Sequence, residues 1–150
     1  VTIGGIAATK HVGLASAGAF STPAQIWSAL VPTGTSGNVF LTVPSGDLDG
    51  GAVYVWSSYN QRTPAATATN TSPSGGTLSV NVLAGGFVIG VAAASNATPQ
   101  AFTWVGVTED ASDKVPNFQN SGAHAANCVA ATPRTVTESS ICTVVTASFR

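Results

Sequence analysis

The chain has 150 residues, a net charge of −1, and only 7% of its residues are Asp, Glu, Lys or Arg. This balance excludes the basic surface that nucleic acids and anionic membranes require. A hydrophobic content of 44% excludes a disordered chain. Apolar stretches such as Phe87–Ala94 are far shorter than the roughly 20 residues of a membrane-spanning helix. We therefore expect no nucleic-acid partner and no membrane insertion.

One segment near the amino terminus fits two kinds of structure. Residues Pro23–Leu30 fit a short helix that has Pro23 at its first position. They fit a strand leading into Val31 equally well. Ala-rich pieces at 92–94 and 123–126 favour helix by propensity, but their Gly and β-branched neighbours disfavour long helices. The sequence therefore predicts little or no helix.

Alternation of residue types along several segments is the pattern of half-buried β-strands. Thr and Val dominate these segments, and both residues are β-branched and fit a pleated sheet. The predicted strands lie at Val39–Val43, Val53–Trp56, Leu78–Val82, Phe87–Ala94, Ala101–Trp104 and Ile141–Phe149.

Clusters of Gly, Pro, Ser, Thr and Asn separate the predicted strands, and these residues favour turns for specific backbone reasons. Their regular spacing is typical of a sandwich or barrel. We predict one all-β domain over residues 1–150, an antiparallel β-sandwich with a jelly-roll-like arrangement. The predicted turns are Pro32–Gly37, Pro44–Gly51, Thr69–Gly76 and Ala84–Gly86.

Two cysteines, Cys128 and Cys142, lie in the last quarter of the chain. A disulfide between them would close a short loop and contribute about 3 kcal/mol through the unfolded state. The alternative is a pair of buried thiols that behave as small apolar residues. Both interpretations stay open at this point.

Acidic residues gather in one place, at Glu109, Asp110 and Asp113. They follow the strand of Phe102 and Trp104, so a loop is predicted here. Such a cluster could bind calcium or supply a carboxylate pair for glycoside hydrolysis. A solvated loop in which the carboxylates accept backbone hydrogen bonds is the interpretation we favour.

A second pair of acidic residues, Asp47 and Asp49, resembles part of a calcium loop. The further ligands and the closing Glu of that motif are missing. We therefore expect no metal and no cofactor, although Asp47, Asp49 and the acidic cluster remain weak metal candidates.

Histidine occurs twice, at His11 and His124, and neither residue lies in a catalytic motif. A serine hydrolase of the nucleophile-elbow type needs G-x-S-x-G, which is absent from the chain. We expect ordinary strand or surface histidines and no enzymatic activity.

Aromatic residues suggest one candidate for ligand contact. Exposed rings stack on sugars, so the predicted glycan-contact site combines an aromatic platform with neighbouring polar side chains. Alternatively, Trp56 and Trp104 fill the core, as large aromatic residues usually do. The predicted glycan-contact residues are Tyr54, Trp56, Tyr59, Asn60, Gln61 and Arg62.

Several phrases occur in an order that resembles a group of uncharacterised β-rich proteins encoded in the structural regions of tailed phages and prophages. The resemblance covers nearly the whole chain, and its motifs are structural. In that group the first phrase is an interior strand, so we expect further strands or an anchor segment before Val1. The phrases are Val1–Thr9, Ala29–Val39, Leu78–Val82, Ala84–Val91, Phe102–Asp110 and Val145–Phe149.

The resemblance implies a non-enzymatic structural protein on the virion surface, such as a head-decoration, spike or fibre component. Its partners would be copies of itself, other virion proteins and host-surface glycans. The alternative is a secreted carbohydrate-binding module. That class requires Tyr54, Trp56 and Tyr59 to form a coplanar strip facing solvent.

Overall fold

The computed structural model describes residues 1–14, 23–31, 33–34, 36–42, 51–57, 63–72, 76–95, 101–115, 118–138 and 142–150. The regular structure of these residues consists of strands without any helix, so the all-β class predicted from the sequence is confirmed. None of the described residues forms a helix able to span a membrane. The strands are β1 (Thr2–Ile3), β2 (Ile6–Ala7), β3 (Thr9–Leu14), β4 (Ala24–Ser28), β5 (Val39–Phe40), β6 (Ala66–Ser72), β7 (Gly76–Val82), β8 (Gly86–Ser95), β9 (Trp104–Val105), β10 (Thr108–Val115), β11 (Phe118–Cys128), β12 (Ala131–Glu138) and β13 (Cys142–Phe149).

The strands form several antiparallel sheets. The largest has five strands in the order β10-β11-β8-β13-β6. A three-stranded sheet has the order β7-β12-β9, and a second small sheet has the order β2-β1-β5. Strands β3 and β4 pair with each other. This arrangement is consistent with a β-sandwich; the jelly-roll-like connectivity remains a prediction.

The five-stranded sheet is covered on both faces near its centre. Odd-numbered residues of β8 and β13, such as Ile89 and Val145, pack against Val12 and Ile26 of the β3–β4 pair. Even-numbered residues of these strands pack in two further clusters against β7, β9 and β12. Every residue of β13 is therefore buried, whereas β7 alternates strictly between buried and exposed positions.

Small residues in the central sheet leave room for aromatic rings from the neighbouring segments. A Cβ atom at Gly90 would lie 2.7 Å from Trp104 Cζ3, and one at Gly122 would lie 2.7 Å from Tyr54 Cγ. Trp104 lies on the face that packs against β7 and β12, whereas Trp56 packs on the other face. Aromatic rings thus pack directly on a glycine on each face of the sheet, Trp104 on Gly90 and Tyr54 on Gly122.

Several segments differ from the sequence-based prediction. Residues Pro23–Leu30 contain strand β4, so the strand alternative is correct and the helix is not formed. The predicted turn Thr69–Gly76 is wrong over residues 69–72, which complete β6 because they pair with β13. The predicted strand Val53–Trp56 belongs to none of the sheets formed by the described residues, although its exposure alternates along the segment.

The turn Ala84–Gly86 is confirmed, with the Gly86 amide donating to the Leu83 carbonyl over 2.9 Å. It connects β7 and β8, which belong to different sheets, and therefore forms an arch rather than a hairpin. Gly85 has a φ of 71°, a conformation that glycine adopts without the steric cost of a Cβ atom.

Candidate functional site

The acidic cluster lies on a strand and not in the predicted loop. Strand β10 carries Glu109, Asp110 and Asp113 and pairs with β11 over nearly its whole length. The pairing register shifts between Glu109 and Ala111, which leaves Asp110 without a direct partner at a β-bulge. The loop prediction is wrong because pairing with β11, which supplies the backbone hydrogen bonds, outweighs the low strand propensity of these residues.

The Asp110 carboxylate joins three elements at this bulge. Its Oδ1 atom lies 2.6 Å from His124 Nδ1, and its Oδ2 atom accepts a hydrogen bond from Trp56 Nε1 over 2.8 Å. The His124 ring packs at 5.5 Å from the Phe87 ring. The Asp110 and His124 side chains are only partly exposed, at 30% and 35%. The carboxylate therefore holds the segment 51–57 against the sheet.

Glu109 takes part in a different network on the opposite face. Trp104 Nε1 donates to Ser121 Oγ over 2.8 Å, and Ser121 Oγ donates to Glu109 Oε1 over 2.6 Å. Ser121 is fully buried. Because Glu109 bonds to Ser121 on one face of the sheet and Asp110 lies against His124 on the other, the two carboxylates do not face each other across a cleft.

Tyr54 places a hydroxyl in an unfavourable position beside the acidic strand. Its oxygen is buried and has no hydrogen-bond partner of ordinary geometry among the described residues, although the Asp113 backbone interacts with it. Burial raises the pKa of Tyr54 to about 12, and the Asp113 and Glu109 carboxylates add to the rise while the Asp113 backbone opposes it. The neutral phenol is therefore the form that the fold favours.

The predicted glycan-contact residues divide into two groups. Tyr54 and Trp56 face the sheet and Val53 and Val55 face solvent, with 62% and 69% exposure. The two aromatic rings are tilted by 42°, so they do not form a coplanar strip facing solvent. The other predicted residues lie outside the described part of the chain: Tyr59, Asn60, Gln61 and Arg62.

The candidate metal ligands that the structure describes, Glu109, Asp110 and Asp113, do not form a metal site. Among the residues that the structure describes, no group of three His, Cys, Asp or Glu side chains is placed to bind a metal ion. Asp113 Oδ1 instead accepts a hydrogen bond from the Lys114 amide over 2.8 Å. Asp47 and Asp49 lie outside the described residues.

The candidate disulfide between Cys128 and Cys142 is not formed, and both cysteines are free, buried thiols. Cys128 lies opposite Gly86 of β8, whereas Thr143, next to Cys142, lies opposite Ala93. Seven residues of a strand span about 23 Å, whereas bridged Cα atoms lie within about 7 Å of each other. The thiols occupy separate core clusters, which corresponds to the alternative interpretation of the sequence.

The remaining histidine lies at a bulge in β3. His11 Nε2 is 2.7 Å from Ser28 Oγ, and its ring meets the edge of Phe149 at 6.2 Å. His11 and Ser28 line an open cleft of about 540 Å³ together with Ile6 and Leu30. The cleft separates β3–β4 from the beginning of the chain.

Large apolar side chains are exposed around the small sheet β2-β1-β5. Phe40 is 60% exposed and Leu30 is 58% exposed. The Val31 side chain packs beside Gly4, where a Cβ atom would lie 3.3 Å from Val31 Cγ1. No sequence motif pointed to these residues, although the adjacent Phe40 and Leu41 already break the pattern of a strand with one polar face. Ile6 lies opposite Ile3 and Phe40 lies opposite Thr2, so the exposed apolar side chains project from both faces of this small sheet. We use the name apolar patch for the exposed apolar side chains around the sheet, which are those of Ile6, Leu30, Val31, Phe40 and Leu41.

Comparison with known proteins gave no relatives. No protein-family model matches the chain, and no curated protein or solved structure matches it. The composition and the exposed surface are therefore the features of the molecule that bear on function.

Proposed function

We propose that this protein is a non-enzymatic structural protein of a tailed-phage virion surface, a head-decoration, spike or fibre component that associates with copies of itself. The observation that carries the proposal is the apolar patch on a chain with so few charges. Large apolar patches rimmed by polar residues usually mark interaction sites. The resemblance to phage structural-region proteins supplies the virion setting.

The small sheet β2-β1-β5 needs covering for a physical reason. Its strands are two residues long, and sheets this small depend on packing against other elements for their stability. Apolar area removed from water stabilises an interface by about 25 cal/mol per Å². A sister copy over Phe40, Leu41 and Leu30 would bury apolar surface that one chain leaves open.

The disposition of the carboxylates favours a structural role over a hydrolytic one. Asp110 bonds to Trp56 and His124, and Glu109 bonds to Ser121, so both groups hold the β10 edge together. The inward orientation of Tyr54 and Trp56 weighs against the carbohydrate-binding alternative. The proposed contact with host glycans therefore belongs to residues other than Tyr54 and Trp56.

The test is to locate the protein in particles. Virions released by cells that carry the gene are banded on a density gradient and stained with gold-labelled antibody against the purified chain. The proposal predicts label on the particle surface at a constant number of copies per particle. Protein found only in the soluble fraction, with unlabelled particles, would contradict it.

A further inference from the structure

The two edges of the five-stranded sheet differ sharply in charge. Strand β10 forms one edge and carries Glu109, Asp110, Asp113 and Lys114, four of the eleven charged residues in the chain. It also contains the bulge at Asp110. Charges and bulges are the devices by which natural sheets prevent an edge from pairing with another chain. The β10 edge is thus protected.

Strand β6 forms the opposite edge and has none of these devices. Its residues Ala66–Ser72 include no charge and no proline, and they pair with β13 without a register shift. Thr67 and Thr69 are exposed. Within the described ranges no strand pairs with its outer edge. Strand β7, the edge of the neighbouring sheet on this side, is uncharged as well.

The sequence of β6 is close to symmetric about its central residue. Reversing the strand about Thr69 places residue 67 opposite residue 71, both threonines, and the small residues Ala66 and Ala68 opposite Ser72 and Asn70. An antiparallel pair of such strands places threonine opposite threonine at residues 67, 69 and 71, and Thr–Thr pairs in facing positions stabilise antiparallel strands.

We propose that β6 pairs antiparallel with β6 of a second copy, about a two-fold axis at Thr69, so that two five-stranded sheets become one continuous sheet. The proposal rests on the self-association proposed above and adds a second contact to that of the apolar patch. A second copy is the fitting partner because the pairing covers the two β6 edges that no described strand covers, and it leaves a charged β10 edge at each end. The sheet therefore stops growing at two copies.

The proposed pairing is tested by introducing a charged side chain at Thr69, the residue on the two-fold axis. Thr69→Lys places two ammonium groups directly opposite each other, and Thr69→Glu does the same with carboxylates; like charges in facing positions destabilise strand pairs. Ser112→Lys on the exposed β10 edge is the matched control. The average mass by light scattering is measured for each variant and for an equal mixture of the Lys and Glu variants.

We expect the mass to fall by about half in each Thr69 variant, as each complex loses one of its two copies, and to return in the mixture. Ser112→Lys keeps the wild-type mass. Thr69→Cys provides an independent readout, because facing residues of paired strands lie within disulfide range. It should give a covalent dimer on mild oxidation.

Two results would overturn the proposal, and they are distinguishable. A wild-type chain that is monomeric at every concentration overturns this pairing and the proposed self-association together. A wild-type oligomer whose mass Thr69→Lys leaves unchanged, with no disulfide from Thr69→Cys, overturns the β6 pairing alone. Failure of the Lys and Glu variants to restore the mass when mixed also contradicts it.

Discussion

Trp104 occupies the space that a side chain at Gly90 would need. A Cβ atom at residue 90 would lie 2.7 Å from Trp104 Cζ3 and 3.0 Å from Cη2. The indole nitrogen of the same ring donates to the buried Ser121 hydroxyl. The Trp104 ring is therefore fixed by a hydrogen bond at its indole nitrogen, and it packs directly on the Gly90 backbone, where no side chain intervenes.

Gly90→Ala should destabilise the fold by about 1–3 kcal/mol, because the added methyl group overpacks the core against Trp104. The measurement is the free energy of unfolding in urea. Gly51→Ala is the control, since no atom lies within 4 Å of the Cβ position there. Equal unfolding midpoints for the two variants would show that Trp104 does not pack on Gly90.

The contact between Trp56 and Asp110 should appear as an energetic coupling. In a double-mutant cycle of Trp56→Phe and Asp110→Ala, we expect a coupling of about 0.5–1.5 kcal/mol, the usual value of one hydrogen bond. Trp27→Phe serves as the control, because Trp27 Nε1 donates to Gln25 instead. Additive effects of the Trp56 and Asp110 changes would mean that segment 51–57 is not held by this carboxylate.

The raised pKa of Tyr54 leads us to expect a loss of folding stability at alkaline pH. Its folded-state pKa of about 12 lies above the ordinary value of 10.0, so the folded chain keeps a proton that the unfolded chain has lost. The resulting stabilisation is complete below pH 10 and declines as the pH rises through 12. Stability measured against pH should therefore fall more steeply for the wild type than for Tyr54→Phe.

The same variant tests the unpartnered hydroxyl. Removing a buried hydroxyl that makes no hydrogen bond of ordinary geometry loses only its interaction with the Asp113 backbone, so Tyr54→Phe should be about as stable as the wild type at neutral pH. The difference in tyrosinate absorbance between the two proteins gives the midpoint of Tyr54 directly. A midpoint near 10 would contradict the burial of this phenol.

The cysteines should behave as two independent thiols. Without reductant, a chain unfolded in guanidinium should react with two equivalents of DTNB, and the folded chain should react slowly because both thiols are buried. Dithiothreitol should leave the melting temperature unchanged. Thiols that become reactive only after reduction would restore the disulfide interpretation and rule out the pairing of β8 with β11 and β13 in this register.

The apolar patch should control association. Phe40→Glu places a charge where a sister copy would bury an aromatic ring, and it should weaken association at least about tenfold. Val105→Glu is the control, because Val105 is 62% exposed on β9, in the layer on the other face of the central sheet. Equal effects of the two changes would indicate a general response to charge.

Strands could be predicted from the sequence where one face of the strand is exposed to solvent and the other is buried. The alternation in Leu78–Val82 comes from burial on a single side, and it reappears in the structure of β7. Strand β13 was predicted from its β-branched residues, although both of its faces are buried. Strand β10 was not predicted, because its acidic and polar residues have low strand propensity and its pairing depends on the distant β11.

The candidate site was less accessible to sequence reasoning. Asp110 and Glu109 are adjacent in sequence, and only the bulge and the pairing with β11 determine that one bonds to His124 and the other to Ser121. The same holds for Trp56, whose inward orientation follows from the absence of a side chain at Gly122. Such contacts depend on residues far apart in the chain.

Sedimentation velocity of the wild-type chain over a wide concentration range tests the central claim most directly. If sister copies cover the apolar patch and the uncharged edge, the sedimenting mass is a multiple of the 14.9 kDa chain. A single species of one chain at every concentration would contradict the account.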